Sequence, residues 1–163
     1  MDQLAVSSGE VKSSKRNVPA AVRLQYIVIK MGDEQYGIDI RYVDNIVRMQ
    51  NITRVPKVQA YLKGVINLRG EVIPVVSLRL KMGLPADEYT KNTRIIILKT
   101  ETGNLGIIVD EVREVVTLGE ESIEKMAHEP KDSKASFVNG IGKNGGELMS
   151  LLDRNAITLE SNV

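Results

Sequence analysis

The chain repeats itself. Overlaid on itself 69 positions apart, Ile27-Val28-Ile29-Lys30 falls on Ile96-Ile97-Leu98-Lys99, and Gly37-Ile38 falls on Gly106-Ile107 with no gap. Val43, Ile46 and Val47 then fall on Val112, Val115 and Val116. At a spacing of 76, Gly64 falls on Gly140, Gly70 on Gly146, Glu71 on Glu147, and Val75-Val76 on Leu151-Leu152. Aliphatic coincidences are cheap in such a chain. The glycine coincidences carry more weight, because each glycine marks a backbone requirement. Whatever the chain folds into, one unit must be built twice.

The unit is a β unit. Ile and Val together number 35, against 8 Ala and 1 Phe. β-Branched side chains are stiff at χ1 and suit a pleated surface, and 13 Gly supply turns. Leu24–Lys30 is a nearly unbroken apolar run, which reads as a strand buried on both faces. Gly32-Asp33-Glu34 turns the chain back into Tyr36–Ile40. The i, i+3, i+4 spacing of Val43, Ile46 and Val47 predicts one helical turn before the next strand, and Ala60–Lys63 reads as a short helix. Val65–Leu68 and Val72–Val76 flank a tight turn at Arg69-Gly70-Glu71. Pro74 has no N–H to donate, so its strand should be an edge or carry a bulge. In the second unit, Arg94–Lys99 and Leu105–Asp110 flank Thr102-Gly103-Asn104, Glu111–Leu118 follows, and Glu124–Ser136 reads as a loop. Asn144-Gly145-Gly146 is a hairpin signal, and Asp153 is a fair cap for a short closing helix.

Each unit therefore holds two hairpins and a bridging segment, about five strands. So small a sheet protects its edges by curling into a barrel. The expected architecture is all-β: two pseudo-repeated five-stranded barrels packed on a shared apolar core, with short helices. Residues 1–22 mix Ser, Lys, Glu and Asn without a period and read as a disordered tail. The main domain is expected over 23–159, with subdomains at about 23–84 and 93–152, a polar connector near 84–92, and a C-terminal segment from 153 to 163.

Charge and composition remove several functions. With 22 Lys plus Arg against 21 Asp plus Glu, the net charge is +1, too small to steer the chain toward nucleic acid or anionic lipid. Five dispersed Tyr and one Phe supply no stacking platform for single strands. Zero Cys and one His exclude thiolate nucleophiles, iron–sulfur clusters and most zinc sites. No metal or cofactor is expected. No apolar run approaches the length of a membrane span, and the polar N-terminus has no signal core. A cytosolic monomer is the expectation.

Few residues offer chemistry. His128 has Glu129 beside it in a polar loop, but chain neighbours there are not a preorganised acid–base pair. Gly140–Gly146 invites a phosphate-loop reading; the following Glu147–Leu152 reads as a strand, so no helix N-terminus aims N–H groups at an anion. Asp39, Asp44, Asp110 and Glu111 lack a second acid, a nucleophile or a ligand partner at useful spacing, and read as outward-facing or structurally paired. Arg69, at a hairpin tip, has two readings. One is a solvated turn residue. The other is a rigidly held guanidinium whose planar fork orders a carboxylate or carbonyl. Its counterpart in the second unit is Gly145, so only one unit carries it.

Tyr36–Ile40, the Val43–Val47 turn, Thr53-Arg54-Val55-Pro56, Tyr61–Gly70 with its Gly-Val-Ile-Asn-Leu-Arg-Gly run, Val72–Arg79 and Gly106–Asp110 together resemble the CheW family of chemotaxis coupling proteins. The resemblance runs from Leu24 to Leu159. It implies two five-stranded SH3-like barrels and a non-enzymatic adaptor. Its partners would be the cytoplasmic tips of chemoreceptors (methyl-accepting chemotaxis proteins) and the regulatory domain of the histidine kinase CheA. It places Val43, Ile46 and Gly64 in a receptor-facing groove, and Asn67 and Arg69 in a coupling turn. Asn45 stands where many members have a Glu able to pair with that Arg, so here the partner would be an amide, with Asp44 or Glu71 as substitutes. Kinase-contact residues are not assigned. An adaptor of a paralogous, non-flagellar chemosensory pathway is the alternative, and a small-molecule enzyme with a site between the barrels is a more remote one.

Overall fold

The turn residues set the strand limits. The computed structural model describes residues 23–56, 59–125 and 137–157. Repeat one contributes β1 (Arg23–Met31), β2 (Glu34–Asp39), β3 (Val43–Arg48), β4 (Leu62–Leu68), β5 (Glu71–Ser77) and the one-turn helix α1 (Leu78–Lys81). Repeat two contributes β6 (Arg94–Thr100), β7 (Gly103–Val109), β8 (Glu111–Gly119), β9 (Ile123–Lys125), β10 (Val138–Asn144), β11 (Glu147–Leu152) and α2 (Arg154–Ile157). Shifted by 76, β4 coincides with β10 and α1 with α2. The expected tail 1–22, the loop containing His128, and residues 158–163 lie outside the described residues.

The two repeats exchange hairpins. One sheet has the order β9-β10-β11-β2-β1-β8 and the other β3-β6-β7-β5-β4. Hairpin β1–β2 of repeat one thus sits among strands of repeat two, and hairpin β6–β7 sits among strands of repeat one. The limits 23–84 and 93–152 are therefore limits of the repeats and not of the sheets, which corrects the expectation of one barrel per contiguous segment. The joints are parallel: Ser150-Leu151 pair with Tyr36-Gly37, and Val75–Ser77 with Gly106–Ile108. The repeated glycine has its reason here. A Cβ on Gly37 would lie 3.0 Å from Leu151 Cδ2, and one on Gly106 2.9 Å from Ile95 Cγ2.

Each sheet curls until its ends meet. β8 and β9 stand at opposite ends of one sheet, yet only the 3-10 turn Glu120–Ser122 separates them in the chain. Leu118 of β8 packs against Gly142 of β10. In the other sheet, β3 continues to Thr53, which exchanges two 2.8 Å backbone hydrogen bonds with Val65 of β4. Val65 and Ile141 are 76 apart, and Ile141 pairs with Glu124 of β9. Thr53 is thus the repeat-one counterpart of β9, reduced to a single bridge. β9 makes the sheet of β1 and β2 six-stranded where five were expected.

Alternation along the central strands divides the core into three. Ile66, Ile73, Val75, Ile95, Ile97 and Ile108 fill one barrel. Tyr26, Val28, Leu118, Met149 and Leu151 fill the other. Ile27, Ile29 and Ile38 meet Ile96, Leu98 and Ile107 in the seam between them. β1, β6 and β7 are buried on both faces, as the unbroken run at Leu24–Lys30 implied. Each such side chain contributes roughly 1.5–3 kcal/mol of transfer free energy.

Three local expectations change. The helical turn lies at Ile40–Tyr42, and Val43–Arg48 is strand. A register shift between Val43 and Asn45 leaves both Val43 and Ile46 packed against the seam, so a bulge imitates the helical period. Ala60-Tyr61 is a turn leading into β4, and no helix forms at Ala60–Lys63. Pro74 lies in a strand with neighbours on both sides, but pairing to β7 begins only at Val75. The Asp153 expectation holds: its Oδ1 accepts from Asn155 N at 3.0 Å where α2 begins.

Candidate functional site

Arg69 and Gly70 form the two-residue loop between β4 and β5, closing the Leu68–Glu71 pair. Their φ angles are 55° and 86°, the type I′ geometry that matches sheet twist and favours Asn-Gly or Gly-Gly. Arg69 is the one non-glycine with positive φ among the described residues. In the equivalent turn of repeat two, Gly145 and Gly146 have φ of 60° and 92°. The same backbone thus carries glycine in one repeat and arginine in the other. A left-handed non-glycine costs on the order of 1–2 kcal/mol. Arg69 gains no compensating internal contact: it is exposed and makes no hydrogen bond or ion pair among the described residues. The acids considered as its partners do not reach it. Glu71 accepts from Asn104 Nδ2 at 3.2 Å, and Asp44 is exposed with no ion pair among the described residues. Asn45 uses its Oδ1 on Ile46 N at 2.8 Å.

The other expected site residues occupy the closing edges of the same barrel. Val43, Asn45 and Ile46 lie on β3, which among the described strands pairs only with β6. Val43 and Ile46 are half-buried against the seam, which Tyr61 and Leu62 also pack against. Gly64 lies on β4, under the closing bridge. Its φ is 145°, and a Cβ there would fall 2.1 Å from Thr53 O. Gly64 is therefore required by the closure itself. Asn67 Oδ1 accepts from Gly70 N at 3.0 Å. Five residue steps along the hairpin, roughly 16 Å, separate Gly64 from Arg69. The structure thus joins Gly64 to the segment after β3 and Asn67 to the turn, and leaves Arg69 at the far end of the hairpin.

Two features were not foreseen. A groove of about 1020 Å³ opens beside Gly64, lined by Met49, Ile52, Arg54, Leu62, Lys63 and Tyr89 among others. Tyr89 belongs to the connector, and it is 51% exposed. The connector is tied down by Ser77, whose hydroxyl donates to Asp87 and whose Oγ accepts from Leu80 N. Second, Arg79 holds Asp110 with two bonds, Nε to Oδ1 at 2.8 Å and Nη2 to Oδ2 at 2.7 Å. Gly32 N also donates to Asp110 Oδ2 at 2.7 Å. This cluster ties the β1–β2 turn of one sheet to α1 and the end of β7 at the other. Burial alone would raise the Asp110 carboxyl; the Arg79 fork and the Gly32 N–H hold it below the ordinary carboxylate value. Asp39 is held low in the same way by Arg41. Both carboxylates are structurally paired, as read from the sequence.

Among the described residues, no helix is long and apolar enough to cross a membrane. The family profile described as "CheW-like domain" matches residues 25–161. The chemotaxis protein CheW of Bacillus subtilis (strain 168) is 38% identical over 131 residues, covering 80% of this chain and 84% of that protein. CheW of Helicobacter pylori is 36% identical over 129 residues, covering 79% and 78%. The crystal structure of the scaffolding protein TtCheW from Thermoanaerobacter tengcongensis has a TM-score of 0.75 to this fold at 32% identity, covering 81% of this chain and 90% of that one. Since sequence and fold agree over nearly all of the described chain, it belongs to the CheW-like domain family.

Proposed function

We infer that this chain is a non-enzymatic adaptor in chemotaxis, coupling chemoreceptor cytoplasmic tips to the regulatory domain of the histidine kinase CheA on the cytoplasmic side of a receptor array. Arg69 carries the reading. An exposed guanidinium on a strained backbone, with no hydrogen bond or ion pair among the described residues, stands where the sister repeat has glycine. Strain of that kind marks a position whose gain lies outside the folded chain. Val43, Asn45, Ile46, Gly64 and Asn67 form the remainder of the receptor surface, on the edges that close the same barrel. Membership of a family that includes a scaffolding protein supports the adaptor role. A few anchors of this sort suffice for a small, transient interface.

The test is reconstitution. Vesicles bearing receptor cytoplasmic fragments are mixed with CheA, with and without this chain, and sedimented. Kinase should pellet in a chain-dependent manner, and Arg69→Glu should lower the pelleted fraction. Equal pelleting with and without the chain would overturn the coupling role.

A further inference from the structure

We propose that Asn67 is the positioning residue that holds Arg69 in its left-handed conformation, and that the group Arg69 takes is a carboxylate on the partner. The proposal rests on the receptor-surface reading above and deepens it.

Two differences between the repeats occur together. Repeat one has Arg69 at the first loop position, and Asn67 two residues before it. Repeat two has Gly145 and Lys143 at the matching places. Only the repeat with the strained arginine has the side-chain acceptor: Asn67 Oδ1 takes the Gly70 N–H at 3.0 Å. Lysine has no acceptor to offer. Where glycine populates the turn without strain, no side chain among the described residues braces it; where arginine must be forced into it, an amide pins the next N–H. Asn67 is exposed, so burial does not account for its position.

The chemistry of the occupant follows from what remains open. The guanidinium is a planar fork of donors, permanently charged, and suited to a bidentate carboxylate. The nearest acid in sequence, Glu71, is engaged by Asn104. The fork is left for a carboxylate from outside, and a fixed turn spares the ordering entropy of presenting it.

The experiment uses the full chain, ¹⁵N-labelled, as wild type and as Asn67→Ala, Asn67→Asp, Arg69→Gly, Arg69→Lys and the Asn67→Ala/Arg69→Gly double variant. Gly70 amide exchange and the Arg69 HN–Hα coupling are read first, without partner. Asn67→Ala should speed Gly70 exchange about fivefold and shift the Arg69 coupling, and Asn67→Asp should restore both. Unchanged values in Asn67→Ala overturn the proposal whatever the partner does. Affinity for a receptor cytoplasmic-tip fragment is read next. Asn67→Ala should weaken it about fivefold, Asn67→Asp should rescue it, and the double variant should be no weaker than Arg69→Gly alone. Arg69→Lys should lose most of the affinity, and binding by Arg69→Gly should depend less steeply on salt. Full affinity in Arg69→Lys refutes the carboxylate fork. An effect of Arg69→Gly without one of Asn67→Ala refutes the positioning role and leaves the surface standing. No effect of Arg69→Gly refutes the surface reading itself.

Discussion

Replacing Arg69 with glycine should make the protein more stable and less functional at once. The magnitude follows from the turn. At φ 55° a non-glycine residue carries about 1–2 kcal/mol of strain. Glycine relieves it but adds unfolded-state freedom worth roughly 0.5–1 kcal/mol. The guanidinium forms no contact among the described residues that must be subtracted. The net expectation is a gain of about 0.5–1 kcal/mol, a rise in Tm of about 1–4 °C for a chain of this size. Repeat two provides the control. Gly145→Arg places an arginine at φ 60° and should lose about what Arg69→Gly gains. Urea unfolding with a shared m-value gives both numbers, and the receptor-fragment affinity is measured on the same samples. A loss of 1 kcal/mol or more in Arg69→Gly would mean that Arg69 makes a structural contact, and the strain argument would fail. A stability gain with unchanged affinity would keep the strain and remove its purpose.

Other outcomes follow from particular contacts. Gly64→Ala drives a Cβ to 2.1 Å from Thr53 O and should cost at least about 3 kcal/mol or prevent folding, with loss of the Thr53 and Val65 amide protection in hydrogen exchange. Asp110→Asn should cost about 1–2 kcal/mol at neutral pH, since Arg79 and Asp110 are 19% and 26% exposed and remain partly solvated. The Asp110 carboxyl is held below its ordinary value of 3.8, so its contribution is fully present above that value and is lost as pH falls through the lower folded value. Acid titration of stability should accordingly be flatter below about pH 4 in Asp110→Asn than in wild type. Ile107→Ala empties a fully buried seam position and should cost about 2–5 kcal/mol. Because the repeats exchange hairpins, it should still unfold in one transition by circular dichroism; two transitions would contradict the shared core.

The duplication and the strand content were legible because glycines mark backbone needs that survive on the page. Gly37 and Gly106 matched in register, and they prove to sit at the parallel joints inside the two barrels. What the repeat could not reveal was which strands pair across it. A hairpin reads the same whether it packs on its own repeat or on the other, since pairing partners leave no local period. The bulge at the start of β3 misled in a different way, because an extra residue on a strand converts a spacing of two into three. At the site, the glycine-for-arginine difference between repeats already singled out Arg69. Its strained φ and the Asn67 brace needed coordinates. Arg79 and Asp110 lie 31 residues apart, and nothing in either local pattern names the other. The groove beside Gly64 was equally invisible, being made from a loop and a connector with no periodicity.

The most direct measurement is an amide chemical-shift titration of the labelled chain with a receptor cytoplasmic-tip fragment and, separately, with the CheA regulatory domain. Shifts are expected at Val43, Asn45, Ile46, Gly64, Asn67 and Arg69 with the receptor, and at a different set with the kinase domain. Shifts with neither partner, or receptor shifts that leave β3 and the Arg69 turn unmoved, would contradict it.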